Sequence, residues 1–180
     1  EAKRHSNWTM PDEEYEKATN LFAISLLDKS KPFWKSLESF YRQIADFGIL
    51  NSLVQVILKF TCPGVPDIYQ GTELWDLSLV DPDNRRPVDF DSRKSMLSEL
   101  KNSSHDDKFL ENLWHSRSDA RIKLWLTHHL LNLRSQQGNL FSSGSYIPLK
   151  VRGRFKDRVL AFARVNGDHA VIVVVPTQIA

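Results

Sequence analysis

At 180 residues the chain is long enough to bury a sizeable core, and one or two domains are expected. Its 41% hydrophobic and 26% charged residues fit a soluble globular protein, and a net charge of +2 is too small to argue for nucleic acid or an anionic membrane as a partner. Cys62 stands alone, which excludes an internal disulfide and fits a reducing, cytoplasmic compartment; no uninterrupted apolar run of membrane-spanning length and no signal-peptide pattern is present. The chain does not begin with Met and stops directly after a strand-like run, so it is expected to be a piece of a larger protein.

The first expected helix is capped by Thr9 and entered through Pro11, Asp12, Glu13 and Glu14, whose acidity complements the helix dipole. Tyr15, Ala18, Phe22 and Leu26 repeat on one face, and Lys29 to Pro32 ends the run. A second helix carries Phe33, Leu37, Phe40, Tyr41 and Ile44 as its inner stripe, with Gly48 as its punctuation. From Ile49 to Phe60 the pattern is apolar on nearly all sides, which predicts a helix buried over most of its surface. Pro63-Gly64 then forces a turn, and Val65 to Tyr69 reads as a brief buried strand.

The stretch from Thr61 to Phe90 mixes Tyr69 and Trp75 with eight charged side chains and four prolines. That is too aromatic for a linker and too charged for a buried strand. It suits a loop lining a polar pocket with rings to stack on. Buried helix, tight turn, short strand and functional loop together form a unit of the kind repeated in a (β/α) barrel. Helices are then expected from Ser92 to Leu100, from Lys108 to Trp114, and from a Ser118 cap through Ile122, Trp125, Leu126, His129, Leu130 and Leu133 to a close at Gly138. Three strands follow: Tyr146 to Arg152, Arg158 to Val165, and, beyond an Asn166-Gly167 turn, Ala170 to Val175.

Several of these segments carry a resemblance. GVPDIYQGTEL (64–74) resembles the G-x-P-x-x-Y-x-G-x-E segment at the eighth barrel strand of the α-amylase family, and DPDNRRPVDF (81–90) the D-P-x-N-R-x-P segment that follows it. LLNLRSQQGNLFSSGSYIPL (130–149) is similar to that family's last barrel helix and its exit into a C-terminal β domain. The wider wording, NSLVQVILKFTCPGVPDI with YQGTELWDLSLVDPDNRRPVDF, the opening from Glu1 to Glu16 and RIKLWLTHHLLNLR, resembles the malto-oligosyltrehalose synthase group within it. The resemblance implies an α+β fragment: residues 1–140 as the mostly helical end of a (β/α)8 barrel, and residues 141–180 as the first strands of a truncated antiparallel β domain. It also implies an intramolecular transglucosylation that turns the reducing-end α-1,4 link of a maltodextrin into an α,α-1,1 link.

Retaining glycosyl transfer needs two carboxyl groups roughly 5–5.5 Å apart. In this family a nucleophile Asp, an acid/base Glu and a second Asp come from earlier strands, and none of their motifs occurs in this sequence. Catalytic residues are therefore expected upstream, and the chain alone is expected to be inactive. For substrate binding, Tyr69, Gln70, Glu73, Trp75 and Asp76 offer the carboxylates, amide and rings that sugars use. Arg85 and Arg86 can clamp acidic groups; the structural alternative for both is an ion pair with Asp81, Asp83 or Asp89, and for Tyr69 and Trp75 it is packing of the loop. His5, Asn7 and Trp8 could reach the same pocket, or simply serve helix entry. His128 and His129 diverge on a helix and make a poor metal pair, with His129 expected in the core. No cofactor or metal is implied, a maltodextrin is the expected partner, and a cut barrel is expected to self-associate through exposed apolar faces. Two other readings stay open: another α-amylase-family hydrolase, such as a trehalohydrolase, and a non-catalytic carbohydrate-binding or assembly module.

Overall fold

A computed structural model describes residues 4–177. The chain is mostly helical and ends in one three-stranded antiparallel sheet. It divides into two compact units, one ending at Asp46 and one beginning at Phe47. The boundary expected at residue 140 lies inside the second of these.

The first unit holds α1 (Glu13–Leu26) and the start of α2 (Pro32–Thr61). Asp12, not Thr9, caps α1, its carboxylate accepting from the Tyr15 amide at 3.0 Å. Thr9 is instead drawn back to Asn7, whose Oδ1 accepts from the Thr9 amide and hydroxyl and from the Met10 amide. With the His5 ring against Tyr15 and a Ser6–Glu16 hydrogen bond, this region works as a helix entry. No residue of α1 is buried; of the expected stripe, Tyr15, Ala18 and Phe22 are exposed and Leu26 is half-buried.

Gly48 does not punctuate: α2 runs through it. A single glycine costs a helix about 1 kcal/mol and leaves its N–H in place, so thirty residues without an internal proline override it. By length and mean hydropathy (1.4 over its most apolar window) α2 could cross a membrane. Here, however, its Val54, Ile57 and Leu58 pack against Phe162, Val173 and Val175 of the sheet. The later part of α2 is less enclosed than expected, with Val56, Phe60 and Thr61 as its buried positions.

Val65 to Tyr69 is not a strand among the described residues. A strand exists by pairing, and this segment finds no ladder partner; Pro66 lacks a donor and Val65 is 95% exposed. The loop it opens runs to α3 (Phe90–Asn102), which Asp89 caps by accepting from the Ser92 amide. α4 (Phe109–His115) and α5 (Arg121–Gln136) follow, and Leu100, Leu113 and Leu124 bring the three helices together in one core. Leu74 of the loop is packed against that core.

Ser118 does not cap α5. Ala120 occupies the cap position with φ +67°, and the Asp119 carboxylate accepts from the Arg121 amide. The buried positions of α5 are Leu124 and Thr127, whereas His129 is exposed, its ring standing edge-on to Trp125 at 3.9 Å. Gly138 opens α6 (Gly138–Ser143) rather than closing α5, which ends at Gln136 with Gln137 as its C-cap.

β1 (Ser145–Pro148), β2 (Val159–Asn166) and β3 (His169–Pro176) form the sheet in that order. β1 is shorter than expected, and the tight loop is Gly167-Asp168, because Asn166 still pairs with His169. Gly167 supplies the left-handed φ of +57° that the first position of such a two-residue turn requires. On β3, Val173 and Val175 face the core while Ile172 and Val174 are exposed, the period-two alternation of a half-covered sheet.

Candidate functional site

The loop from Cys62 to Asp89 springs from the C-terminus of α2, where the last carbonyls have no helical partner. Two arginines satisfy them. Arg134 donates to the carbonyls of Phe60 at 2.8 Å and Gly64 at 3.0 Å. Arg164, 1% exposed, donates to Thr61 at 3.1 Å and to Leu140, Phe141 and Gly144 at the end of α6. Burial and then the neighbouring Arg164 charge lower the pKa of Arg134.

Beyond this root the chain turns sharply at Gly71, whose φ is +89°. A Cβ there would lie 3.2 Å from the Val88 side chain, so the start and end of the loop approach each other at a point only glycine fits easily. Arg93 of α3 spans the same place. Its Nη2 donates to the Gly71 carbonyl, its Nη1 to the Asp89 carbonyl, and its Nε lies 2.9 Å from Glu73 in an ion pair whose side chains are each 19% exposed. The Nε–H is not aligned with the carboxylate, so that contact is ionic rather than a hydrogen bond.

A cleft of about 300 Å³ opens above this pinch. Of the seven residues expected to bind substrate, Gln70, Trp75, Asp76 and Arg86 line it. Asp76 accepts from the Ser78 hydroxyl at 2.6 Å and amide at 3.0 Å, and those hydrogen bonds hold its carboxyl below the usual carboxylate pKa. Arg86 donates to the Asp83 carbonyl and sits 3.8 Å from its carboxylate. The cleft therefore presents an amide, a carboxylate, a guanidinium and an indole, which suits a neutral, hydroxyl-rich molecule better than a purely apolar one.

The other three expected residues lie outside this cleft. Arg85 pairs with Asp81 through two hydrogen bonds along one turn of the loop. Tyr69 is 42% exposed, and its carbonyl accepts from the Thr72 amide and hydroxyl. Glu73 points to a separate cleft of about 180 Å³ shared with Gln55, Lys59, Thr72 and Lys123. There, burial and then the Lys59 ammonium lower the Lys123 pKa against the pull of Asp76 and Glu73. Trp75 lines the first cleft, and its Nε1–H donates to the Arg117 carbonyl at 2.8 Å while Lys123 lies over its ring.

Arg93 and Lys123 escaped the sequence reading. The partners of Arg93 lie up to twenty-two residues away, and two of them are carbonyls, which every residue possesses. Lys123 likewise donates to the Leu74 carbonyl, forty-nine positions back. The one legible signal was the excess of charge around Glu73, which had to be paired with something.

No family model matches the chain. Among curated proteins it is 33% identical over 174 residues to a putative maltooligosyl trehalose synthase of Mycobacterium tuberculosis, strains CDC 1551 and H37Rv alike, covering 97% of this chain and 20% of that protein. Among solved structures, a maltooligosyl trehalose synthase superimposes with a TM-score of 0.79 at 35% identity over 98% of this chain and 22% of its own. A hypothetical maltooligosyl trehalose synthase of Sulfolobus tokodaii does so with a TM-score of 0.75 at 36% identity, over 99% and 22%. In sequence and in fold, along nearly its whole length, this chain is similar to the maltooligosyl trehalose synthases, and it spans about a fifth of their length.

Proposed function

We propose that this sequence is part of a malto-oligosyltrehalose synthase that converts the reducing-end α-1,4 link of a maltodextrin to an α,α-1,1 link. The observation that carries this reading is the similarity to proteins of that name over 97% of the chain, accompanied by agreement in fold. In the reaction the C1–O4 bond to the terminal glucose breaks, that glucose turns within the site, and its anomeric oxygen bonds to the released C1, so nothing is added or lost. The terminal sugar must be held while unattached and yet be free to reorient.

Residues 1–140 are read as the end of a (β/α)8 barrel and 141–180 as the opening of a β domain, in a cytoplasmic protein whose catalytic carboxylates lie in other segments. In that setting the cleft residues bind and orient. Asp76, kept ionised by Ser78, accepts from sugar hydroxyls; Gln70 and Arg86 donate; the Trp75 indole offers a face to the sugar C–H groups. The chain alone is proposed to be inactive and to self-associate.

The test is product analysis. The longest natural chain containing this sequence, with residues 1–180 as control, is incubated with maltopentaose and the anomeric protons are followed by NMR. A new 1,1-linked signal from the long chain alone is expected. Free trehalose or glucose without a capped oligosaccharide would refute the synthase reading, and turnover by residues 1–180 would refute the placement of catalysis elsewhere.

A further inference from the structure

We infer that Arg93 is the positioning residue of the cleft, and that Glu73 acts through it rather than on the sugar. This rests on the function proposed above. One guanidinium fastens both ends of the loop: the Gly71 carbonyl at 3.1 Å and Glu73 at 2.9 Å on the way in, and the Asp89 carbonyl at 3.0 Å on the way out. Both side chains of the pair are 19% exposed, whereas Arg85–Asp81 and Arg86–Asp83 are 46% exposed or more and are screened by water. A pair shielded in this way holds its geometry better than a surface pair.

The location matters as much as the strength. Trp75, Asp76, Asn84 and Arg86 all belong to the segment between the two fastened ends, and all line the cleft. Their spacing therefore depends on the pinch, and the Gly71–Val88 approach has little slack to replace it. Glu73 itself is absent from that cleft, which separates its role from that of Asp76. Arg93 does border the cleft floor, so contact with substrate is the competing role for it. The two roles differ in what Glu73 should do.

The experiment uses the longest natural chain, as wild type, Arg93→Gln, Glu73→Gln and the double variant. Two quantities are read: amide hydrogen exchange across residues 72–88, and kcat/KM on maltopentaose. Each single variant is expected to speed exchange in 72–88 by about tenfold with α3 and α5 unchanged, and to lower kcat/KM by about 10- to 100-fold. The double variant should be no worse than the poorer single one, because both remove the same clamp. Losses that multiply in the double variant, or normal exchange in 72–88 with activity lost, would overturn the inference and make one or both residues direct sugar contacts. Glu73→Gln keeps the side-chain shape and leaves the carbonyl bonds of Arg93 intact, so it tests the clamp even where Arg93→Gln fails to fold. If the wild-type chain makes no 1,1-linked product, the functional reading fails, and the exchange data alone decide the clamp.

Discussion

Replacing Arg164 with Leu tests how the root of the loop is held. The guanidinium is buried at 1% exposure and carries four contacts, to Thr61, Leu140, Phe141 and Gly144, at 2.9–3.3 Å. One Nη1 hydrogen and two Nη2 hydrogens serve them, so about three charge-assisted bonds are at stake, each worth roughly 1.5–3 kcal/mol. Against this stands the cost of burying the charge, of order several kcal/mol, raised further because Nε has no acceptor among the described residues. Leucine recovers part of the packing and strands the carbonyls that end α2 and α6. The balance predicts a loss of about 3 kcal/mol, read as a lower midpoint in urea unfolding followed by circular dichroism. Arg164→Lys keeps the charge but cannot span both helix ends, and should recover less than half of the loss. A loss under about 0.5 kcal/mol for Arg164→Leu would refute the view that this arginine ties the two helix ends to β2.

Gly71→Ala forces a side chain onto a φ of +89° and into the Val88 methyl; about 2 kcal/mol of stability should be lost, and a variant that melts like wild type would show the pinch to be slack. Leu124→Ala empties the centre of the three-helix core and should cost about 2–5 kcal/mol in the same unfolding assay. Although the His129 side chain is exposed overall, partial desolvation and then the charges of His128 and His105 lower its pKa, so the folded state protonates less readily than the unfolded one. Stability from this source is complete above pH 6.5 and falls as pH drops through 6.5 towards the lower folded value; in His129→Asn, unfolding midpoints compared at pH 7.5 and 5.5 should show a smaller difference than in wild type.

Helices proved legible from the sequence, and their ends much less so. The apolar repeats that predict α1 and α5 are local, and those helices, like the expected α3 and α4, stand within a few residues of where they are expected. The caps depend on which of several similar residues turns inward: Asp12 over Thr9, and a left-handed Ala120 over Ser118. Ala120 is invisible to any rule of residue preference, since alanine pays about 1–2 kcal/mol for that conformation. The sheet could be read strand by strand from its period of two, although its β1 strand came out short. The Val65–Tyr69 strand failed for the opposite reason: composition can favour a strand, but only a neighbouring edge makes one.

For the cleft, residue types were legible and their partners were not. Charge and rings in one stretch announced a polar, ring-bearing loop, and four of the seven expected residues do share one cleft. Sorting those four from Tyr69, Glu73 and Arg85 required knowing which charges cancel locally. Arg85 sits four residues after Asp81, the spacing at which a pair forms within one turn, so its capture was foreseeable. Glu73 had no such neighbour, and its partner arrived from α3, twenty positions on, together with the carbonyls that close the loop. The residues that look most like ligands are thus divided by burial. Exposed Asp76 is left facing the cleft with its charge preserved by Ser78, while the more buried Glu73 is committed to Arg93. A shielded carboxylate next to a guanidinium is costly to separate, whereas a carboxylate held by a serine can accept a sugar hydroxyl as well. That difference in availability, rather than residue type, is why sugar contact is proposed for Asp76 and loop closure for Glu73.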